Sequence, residues 1–202
     1  MSISKIAIAI LAAGASSRMG QPKQILKWGD NTLISHCINV CNATSAKETM
    51  VVLGANEDAI FPEIKDESVS VIINKHWRLG LGKSIACAAQ YCLDSNENSD
   101  GLLIVLADQP FVTTHYLNRM IHEFQTTKPD IITTQYASKV KGVPVLFNNT
   151  YFKALSQITG DEGAKSIIKS HSNFVKTLTP NFDNLDIDTN GDYNTLLARL
   201  HK

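Results

Sequence analysis

The sequence predicts an α/β domain with a mainly parallel sheet. Short apolar runs at residues 6–13, 50–53, 69–73 and 102–107, and the β-branched stretch at 130–134, have the length and composition of strands. The segments between them carry apolar residues at helical spacing, and strands that alternate with helices pair in parallel through crossovers. The run at 102–107, Leu-Leu-Ile-Val-Leu-Ala, has no polar residue for either face, which places it at the centre of the sheet.

The first run empties after Ala13 into Gly14, Ala15, Ser16 and Ser17, followed by two cations, Arg18 and Lys23. Asn31-Thr32 then caps a helix whose apolar face is Leu33, Ile34, Cys37, Ile38 and Cys41. The strand at 50–53 ends at Gly54, a short helix occupies 56–63, and the strand at 69–73 follows. Residues 74–82 form a loop containing Gly80 and Gly82, and 84–93 a helix rich in small residues. A polar turn at 96–100 precedes the central strand, which stops at Asp108-Gln109-Pro110. Thr113 or Thr114 opens a helix through Phe124.

After the strand at 130–134 the rhythm breaks. Residues 135–147 read as an extended or hairpin segment carrying Gly142-Val143-Pro144. Helices at 151–155 and 162–170 flank Gly160-Asp161-Glu162-Gly163, 174–178 reads as an edge strand, and 185–188 as a short strand before a C-terminal helix. No repeat, low-complexity tract or linker interrupts the chain, so one domain is expected over residues 1–202.

Composition narrows the partners. Nineteen Lys and Arg balance nineteen Asp and Glu, so no overall field points to nucleic acid or to an anionic membrane. The early apolar run is far shorter than the ~20 residues of a membrane span. With one lysine before it and a cationic loop after it, it does not read as a secretion signal, and a cytoplasmic location is expected. Cys37, Cys41, Cys87 and Cys92 show no CxxC spacing. Cys37 and Cys41 are one helical turn apart and could share a metal, but free buried thiols are the expectation.

The chemistry concentrates in the first loop. A strand ending in small residues lets backbone N–H groups crowd an anion, and Arg18 and Lys23 offset its charge. A P-loop is excluded, because five residues separate Gly14 from Gly20 and Gln21 follows; a dinucleotide GxGxxG is absent too. Asp108, just beyond a central strand, sits where open α/β sheets bind ligands, and its type suits Mg²⁺. Asp186 and Asp188 alternate with Leu185 and Ile187, so on a strand both carboxylates share a face. Ser84 is either a polar contact or an N-cap. Trp28 and Trp77 flank the two glycine loops as pocket or core residues, and His76 reads as a surface or packing residue.

The stretch Leu11-Ala12-Ala13-Gly14-Ala15-Ser16-Ser17-Arg18-Met19-Gly20-Gln21-Pro22-Lys23 resembles the signature loop of the nucleotidyltransferases that include the molybdenum-cofactor enzymes, most of all the molybdopterin cytidylyltransferase branch. The likeness recurs in order at Gly80-Leu81-Gly82-Lys83-Ser84, Leu106-Ala107-Asp108-Gln109-Pro110, Gly142-Val143-Pro144, Gly160-Asp161-Glu162-Gly163-Ala164 and Asp186-Ile187-Asp188-Thr189. It implies a Rossmann-like three-layer nucleotidyltransferase fold with a mainly parallel mixed sheet.

It further implies nucleotide contacts from Leu11, Ala12, Ala13, Gly14, Ser16, Ser17, Arg18, Met19, Gly20 and Lys23, with Gly54, Gly80, Gly82 and Ser84 toward base and ribose. Arg18, Lys23 and Asp108 are the implied catalytic residues, with Mg²⁺ on Asp108 and Asp188 and with Asp186 a neighbour. CTP is the implied donor, on the Ala12-Ala13-Gly14 form of the loop, and a molybdopterin-type phosphate the acceptor; a molybdoenzyme is a possible downstream partner. The glycine motifs at 142–144 and 160–163 fall to the acceptor side. Thr189-Asn190 departs from the family's Thr-Pro, which would loosen that turn. A guanylyltransferase, a sugar-phosphate nucleotidyltransferase and a non-catalytic carrier of the nucleotide form of the cofactor are the alternatives.

Overall fold

The computed structural model describes residues 4–95, 98–137 and 139–200. Its core is a seven-stranded mixed sheet covered by helices on both faces, as expected. In chain order the elements begin with β1 (Ile6–Leu11), a small hairpin of β2 (Lys27–Trp28) and β3 (Asn31–Thr32), α1 (Leu33–Asn42), β4 (Glu48–Leu53), α2 (Glu57–Ile64) and β5 (Ser70–Ile73). Next come α3 (Leu81–Asp94), β6 (Gly101–Leu106), α4 (Thr114–Thr127), β7 (Ile131–Gln135) and β8 (Lys141–Asn148). The chain finishes through α5 (Phe152–Leu155), α6 (Lys165–Ser170), β9 (Val175–Leu178) and α7 (Asn190–Leu200).

The sheet order is β5-β4-β1-β6-β8-β7-β9. The first four strands are parallel, β8 runs antiparallel to both its neighbours, and β9 is parallel to β7 at the edge. The fourth position of β6 agrees with its composition. The segment at 135–147 resolves as the turn and second strand of a hairpin, with an irregularity between Thr133 and Thr134.

β1 shows how sequence sets packing. Ile6, Ile8 and Ile10 enter one core with residues of α1, α2 and α4. Ala7, Ala9 and Leu11 enter the other with α3, α5 and α6. Two alanines on one face leave room for a close helix, and α3 meets that face with Ala88 and Ala89, each fully buried. Thr32 and Thr113 cap α1 and α4, accepting from the N–H of Ser35 and Tyr116.

Three expectations are corrected. Residues 185–188 make no ladder; one backbone bond, Ile187 N–H to Asp108 O at 3.0 Å, ties this extended segment to the end of β6. α3 starts at Leu81, so Ser84 lies inside the helix, where it accepts from Asn74 Nδ2 at 3.0 Å and does not cap. The turn after Asp188 is not loosened by the missing proline. Asp192 accepts from Thr189 N–H and Oγ1, both at 2.8 Å, and its own N–H donates back to Thr189 Oγ1 at 3.1 Å, a reciprocal cap on α7. Of the expected polar turn at 96–100, Asn96 and Glu97 lie outside the described residues. No helix among the described residues is long and apolar enough to cross a membrane.

Cys37, Cys41 and Cys92 are buried, and all four cysteines are free thiols. A hydrogen bond that the Cys37 thiol makes to Cys41, then burial, raises Cys37 well above the ordinary thiol range; burial, then the Glu48 charge, pushes Cys92 to about 12. In the native protein at pH 8, a thiol-reactive dye should therefore label Cys87 slowly and leave the other three intact. All four should react in denaturant. Rapid native labelling of Cys92 would contradict this packing.

Candidate active site

The chain leaves β1 toward β4 and β5, then returns to place β6 on β1's other side. Such a switch leaves a crevice at the C-terminal ends of the strands. Here it is a cleft of about 670 Å³, formed by the loop after β1, the end of β6 and the turn before α3.

One corner of the cleft holds a compact charge cluster. Lys23 Nζ donates to Asp108 Oδ2 at 2.6 Å, to Asp188 Oδ1 at 3.1 Å and to the Ile187 carbonyl at 2.8 Å. Arg18 reaches Asp188 Oδ2 at 2.9 Å from the solvent side. Burial alone would lower the Lys23 pKa, but the Asp108 charge and hydrogen bonds to Asp108 and Asp188 outweigh it, leaving Lys23 above its ordinary value. For Asp188, burial pushes up, while Lys23 and Arg18 pull harder and hold it below the ordinary carboxylate range. Asp186 stands apart: its Oδ1 accepts from Gln109 Nε2 at 2.8 Å. Burial and the nearby Asp108 and Asp188 charges raise its pKa against the lowering by Gln109.

Of the residues the resemblance implies, Leu11, Ala12, Ala13, Gly14, Arg18, Lys23, Gly80, Ser84, Asp108 and Asp188 line the cleft. The others stand behind it. Ser16, held at φ 53°, accepts the Lys23 N–H on its Oγ at 3.1 Å and so shapes the loop. Met19 is buried in a satellite core with Trp28, Leu33, Ile187 and Leu196, anchoring the loop's far end. Ser17 and Gly20 lie exposed on the same turn, before and after Met19. A Cβ on Gly54 would come within 2.8 Å of both Ala13 Cβ and Trp77 Cβ, so Gly54 lets these two stack closely.

Gly80 and Gly82 do a related job. Gly82 N–H donates to Gly160 O and Gly160 N–H donates to Leu79 O, each at 2.8 Å. A Cβ on Gly80 would lie 2.5 Å from Asp161 Oδ1 and from the Gly160 carbonyl carbon. This lock makes the turn before α3 and the 159–161 loop into a single wall. It brings Asp161 into the cleft that the first loop and Asp108 line, while Gly142-Val143-Pro144 lies in β8.

The cleft also holds two residues that the sequence did not single out, Gln24 and Arg78. Arg78 stacks on Trp77, 4.4 Å from its ring centroid, so this tryptophan is a wall of the cleft, whereas Trp28 is core. An isolated glutamine after Lys23 carries no periodic or motif signal.

A divalent cation fits the Asp108 corner. Asp108 Oδ1 is buried and has no hydrogen-bond partner, a hard oxygen donor left over beside the Lys23 tie. No three His, Cys, Asp or Glu side chains among the described residues converge on a cation. One or two carboxylates completed by substrate phosphate oxygens is the coordination Mg²⁺ accepts. Asp188 is beside Asp108 in the cluster, while Asp186 is engaged by Gln109.

A nucleotide-sized cleft at a topological switch, with a cationic small-residue loop facing a carboxylate, defines a nucleotidyltransferase-type site. The chain belongs to the MobA-like NTP transferase domain family, which it matches over residues 8–174. It is a nucleotidyltransferase of that family. It is 25% identical over 169 residues to nicotine blue oxidoreductase of Paenarthrobacter nicotinovorans, covering 79% of each chain. It is 28% identical to bifunctional protein GlmU of Alkaliphilus oremlandii, where the match covers 83% of this chain and 37% of GlmU. Among solved structures, Rv0371c of Mycobacterium tuberculosis H37Rv superposes with a TM-score of 0.84 at 26% identity over 98% of this chain and 100% of that one. Its complex with manganese gives a TM-score of 0.81 at 25% identity over 98% of this chain and 100% of that one.

The charge cluster sets a pH window for stability. Asp188, depressed when folded, stabilises above its unfolded value near 3.8 and loses this as pH falls further. Lys23, raised when folded, stabilises below its unfolded value near 10.5 and loses this above it. Lys23→Met should cost about 2 kcal/mol near neutral pH by leaving Asp108 without its partner. In urea titrations the deficit should shrink at both pH extremes, and a pH-independent deficit would refute the assignment.

Proposed function

We propose that this nucleotidyltransferase, acting as a single domain over residues 1–202, transfers CMP from CTP to the terminal phosphate of a molybdopterin-type acceptor and releases pyrophosphate. An acceptor phosphate oxygen attacks the α-phosphorus in line, the bond to the β-phosphate oxygen breaks, and pyrophosphate leaves along the first loop. The observation that carries the reading is the opposition, in one cleft, of the Arg18 and Lys23 cations to Asp108 and its unpartnered buried oxygen. The choice of CTP is supported by the Ala12-Ala13-Gly14 form of the loop, and the choice of acceptor by the family resemblance.

Each residue has a role that its placement supports. Loop N–H groups and Arg18 bind the β- and γ-phosphates, whose charge grows as pyrophosphate departs. Lys23 is held by both acids and keeps positive charge in the corner where that bond breaks. Trp77 and Arg78 enclose the nucleoside end, and Ser84, fixed by Asn74, lies at its edge. Asp108, with Asp188, would hold a divalent cation such as Mg²⁺, which would neutralise phosphate charge when bound. No covalent intermediate is needed, because orientation and fixed charge can supply most of the rate.

Pyrophosphate release measured over the four nucleoside triphosphates, with and without molybdopterin, tests the reading. Release with CTP that depends on molybdopterin is expected. Release with GTP alone, or with a sugar phosphate in place of molybdopterin, would redirect it within the class, and nucleotide binding without turnover would make the protein a carrier. Asp108→Asn should lower turnover at least about 100-fold, within the range for removing one electrostatic group from such a site. Full activity in that variant would remove Asp108 from the chemistry.

A further inference from the structure

Gln24 is 2% exposed and has no hydrophobic reason to be so. Its Nε2 donates to Ala12 O at 2.9 Å and to Gly14 O at 3.2 Å, and its Oε1 accepts from Ser16 Oγ at 3.3 Å. The carbonyl between them, that of Ala13, is taken by Ala55 N–H at 3.1 Å. Three successive carbonyls of the first loop therefore point into protein donors. In a planar trans peptide the C=O and the following N–H point in opposite directions. Fixing the carbonyls of Ala12, Ala13 and Gly14 thus turns the N–H groups of Ala13, Gly14 and Ala15 the other way. Among the described residues, the N–H groups from Ala13 to Arg18 donate to no protein acceptor.

We propose that Gln24 is the positioning residue that sets the polarity of this loop, holding its carbonyl ends in the protein so that its N–H ends face the phosphates of a nucleoside triphosphate. The inference rests on the reading that the loop carries the triphosphate. Without the Gln24 amide, the peptide after Ala12 loses the donor that orients it, and the peptide after Gly14 keeps only the longer bond from Asn56 Nδ2 at 3.4 Å. A rotated peptide would present a carbonyl oxygen to the phosphates, where an attractive dipole becomes a repulsive one. Gln24 acts through the backbone and touches no reacting atom. Neither its type nor its place after Lys23 announces this; the fold back of residues 23–25 under the loop creates it.

Calorimetric titration of the full chain with CTP, inorganic pyrophosphate and CMP tests the proposal. Gln24→Ala should weaken CTP and pyrophosphate at least about tenfold and leave CMP within about twofold. Gln24→Glu keeps the size and swaps the amide donor for an oxygen; its pyrophosphate affinity should recover as pH falls, when a protonated carboxyl regains one donor. Unchanged pyrophosphate binding in Gln24→Ala, or an equal loss of CMP, overturns the role of Gln24 while the triphosphate reading stands. If the wild type binds neither CTP nor pyrophosphate, both fall together. Should the variants not fold, amide resonances of the wild type decide: pyrophosphate must move those of Ala13 and Ala15, and stationary resonances overturn the proposal.

Discussion

The Lys23 ammonium ties together three parts of the chain that are far apart in sequence. It leaves the first loop, crosses to Asp108 at the end of β6, and meets Asp188 and the Ile187 carbonyl on the segment before α7. Of these, only the segment of Asp108 follows directly from a laddered strand. An ammonium has three donor protons, and here each finds an oxygen. A partly buried cation in that position is tolerable because two carboxylates surround it, and the carboxylates are tolerable because of it. The charges of the cluster thus stabilise one another and the corner in which they sit.

The rest of the cleft is built by close backbone approach. Gly54 lets Trp77 sit against Ala13, and the Gly80–Gly160 lock joins two loops at separations that a side chain could not survive. Small residues serve two ends here: they bring walls together, and they leave the backbone of the first loop accessible to a ligand. The same loop is held from below by Gln24 and from its far end by Met19 in a small core with Trp28. A rigid loop whose dipoles are already oriented loses little on meeting an anion, which is the condition for electrostatic stabilisation of a departing phosphate.

The relatives frame how far family membership reaches. One is named an oxidoreductase and another a bifunctional protein more than twice this chain's matched length. A shared fold at about a quarter identity supports many substrates, so the substrate must be sought in side chains of the cleft. Those that could discriminate, such as Arg78 on Trp77 and Asp161 beside Gly80, arrive on loops distant in sequence and come together only through the lock between them.

By itself the sequence determined the layer plan. Apolar runs with no polar face require burial on both sides, and the alanines of β1 and α3 specify a close contact. Thr32 and Thr113 mark helix starts by a hydrogen bond that needs only local geometry. The cationic loop and the carboxylate after β6 were equally legible, because strand ends in such sheets converge on one edge. Tertiary structure alone decided the rest. Asp186 and Asp188 share a strand-like spacing, yet Gln109 takes one and Lys23 the other, since the segment is tied to the sheet by one backbone bond and by side chains and not by a ladder. Ser84 had the type of a cap and became a buried acceptor once Gly80 and Gly160 had fixed where α3 begins. Gln24 has no pattern at all. Its meaning depends on carbonyls turned toward it by a loop that closes only in the folded chain, and such long-range hydrogen bonding leaves no periodic trace in sequence.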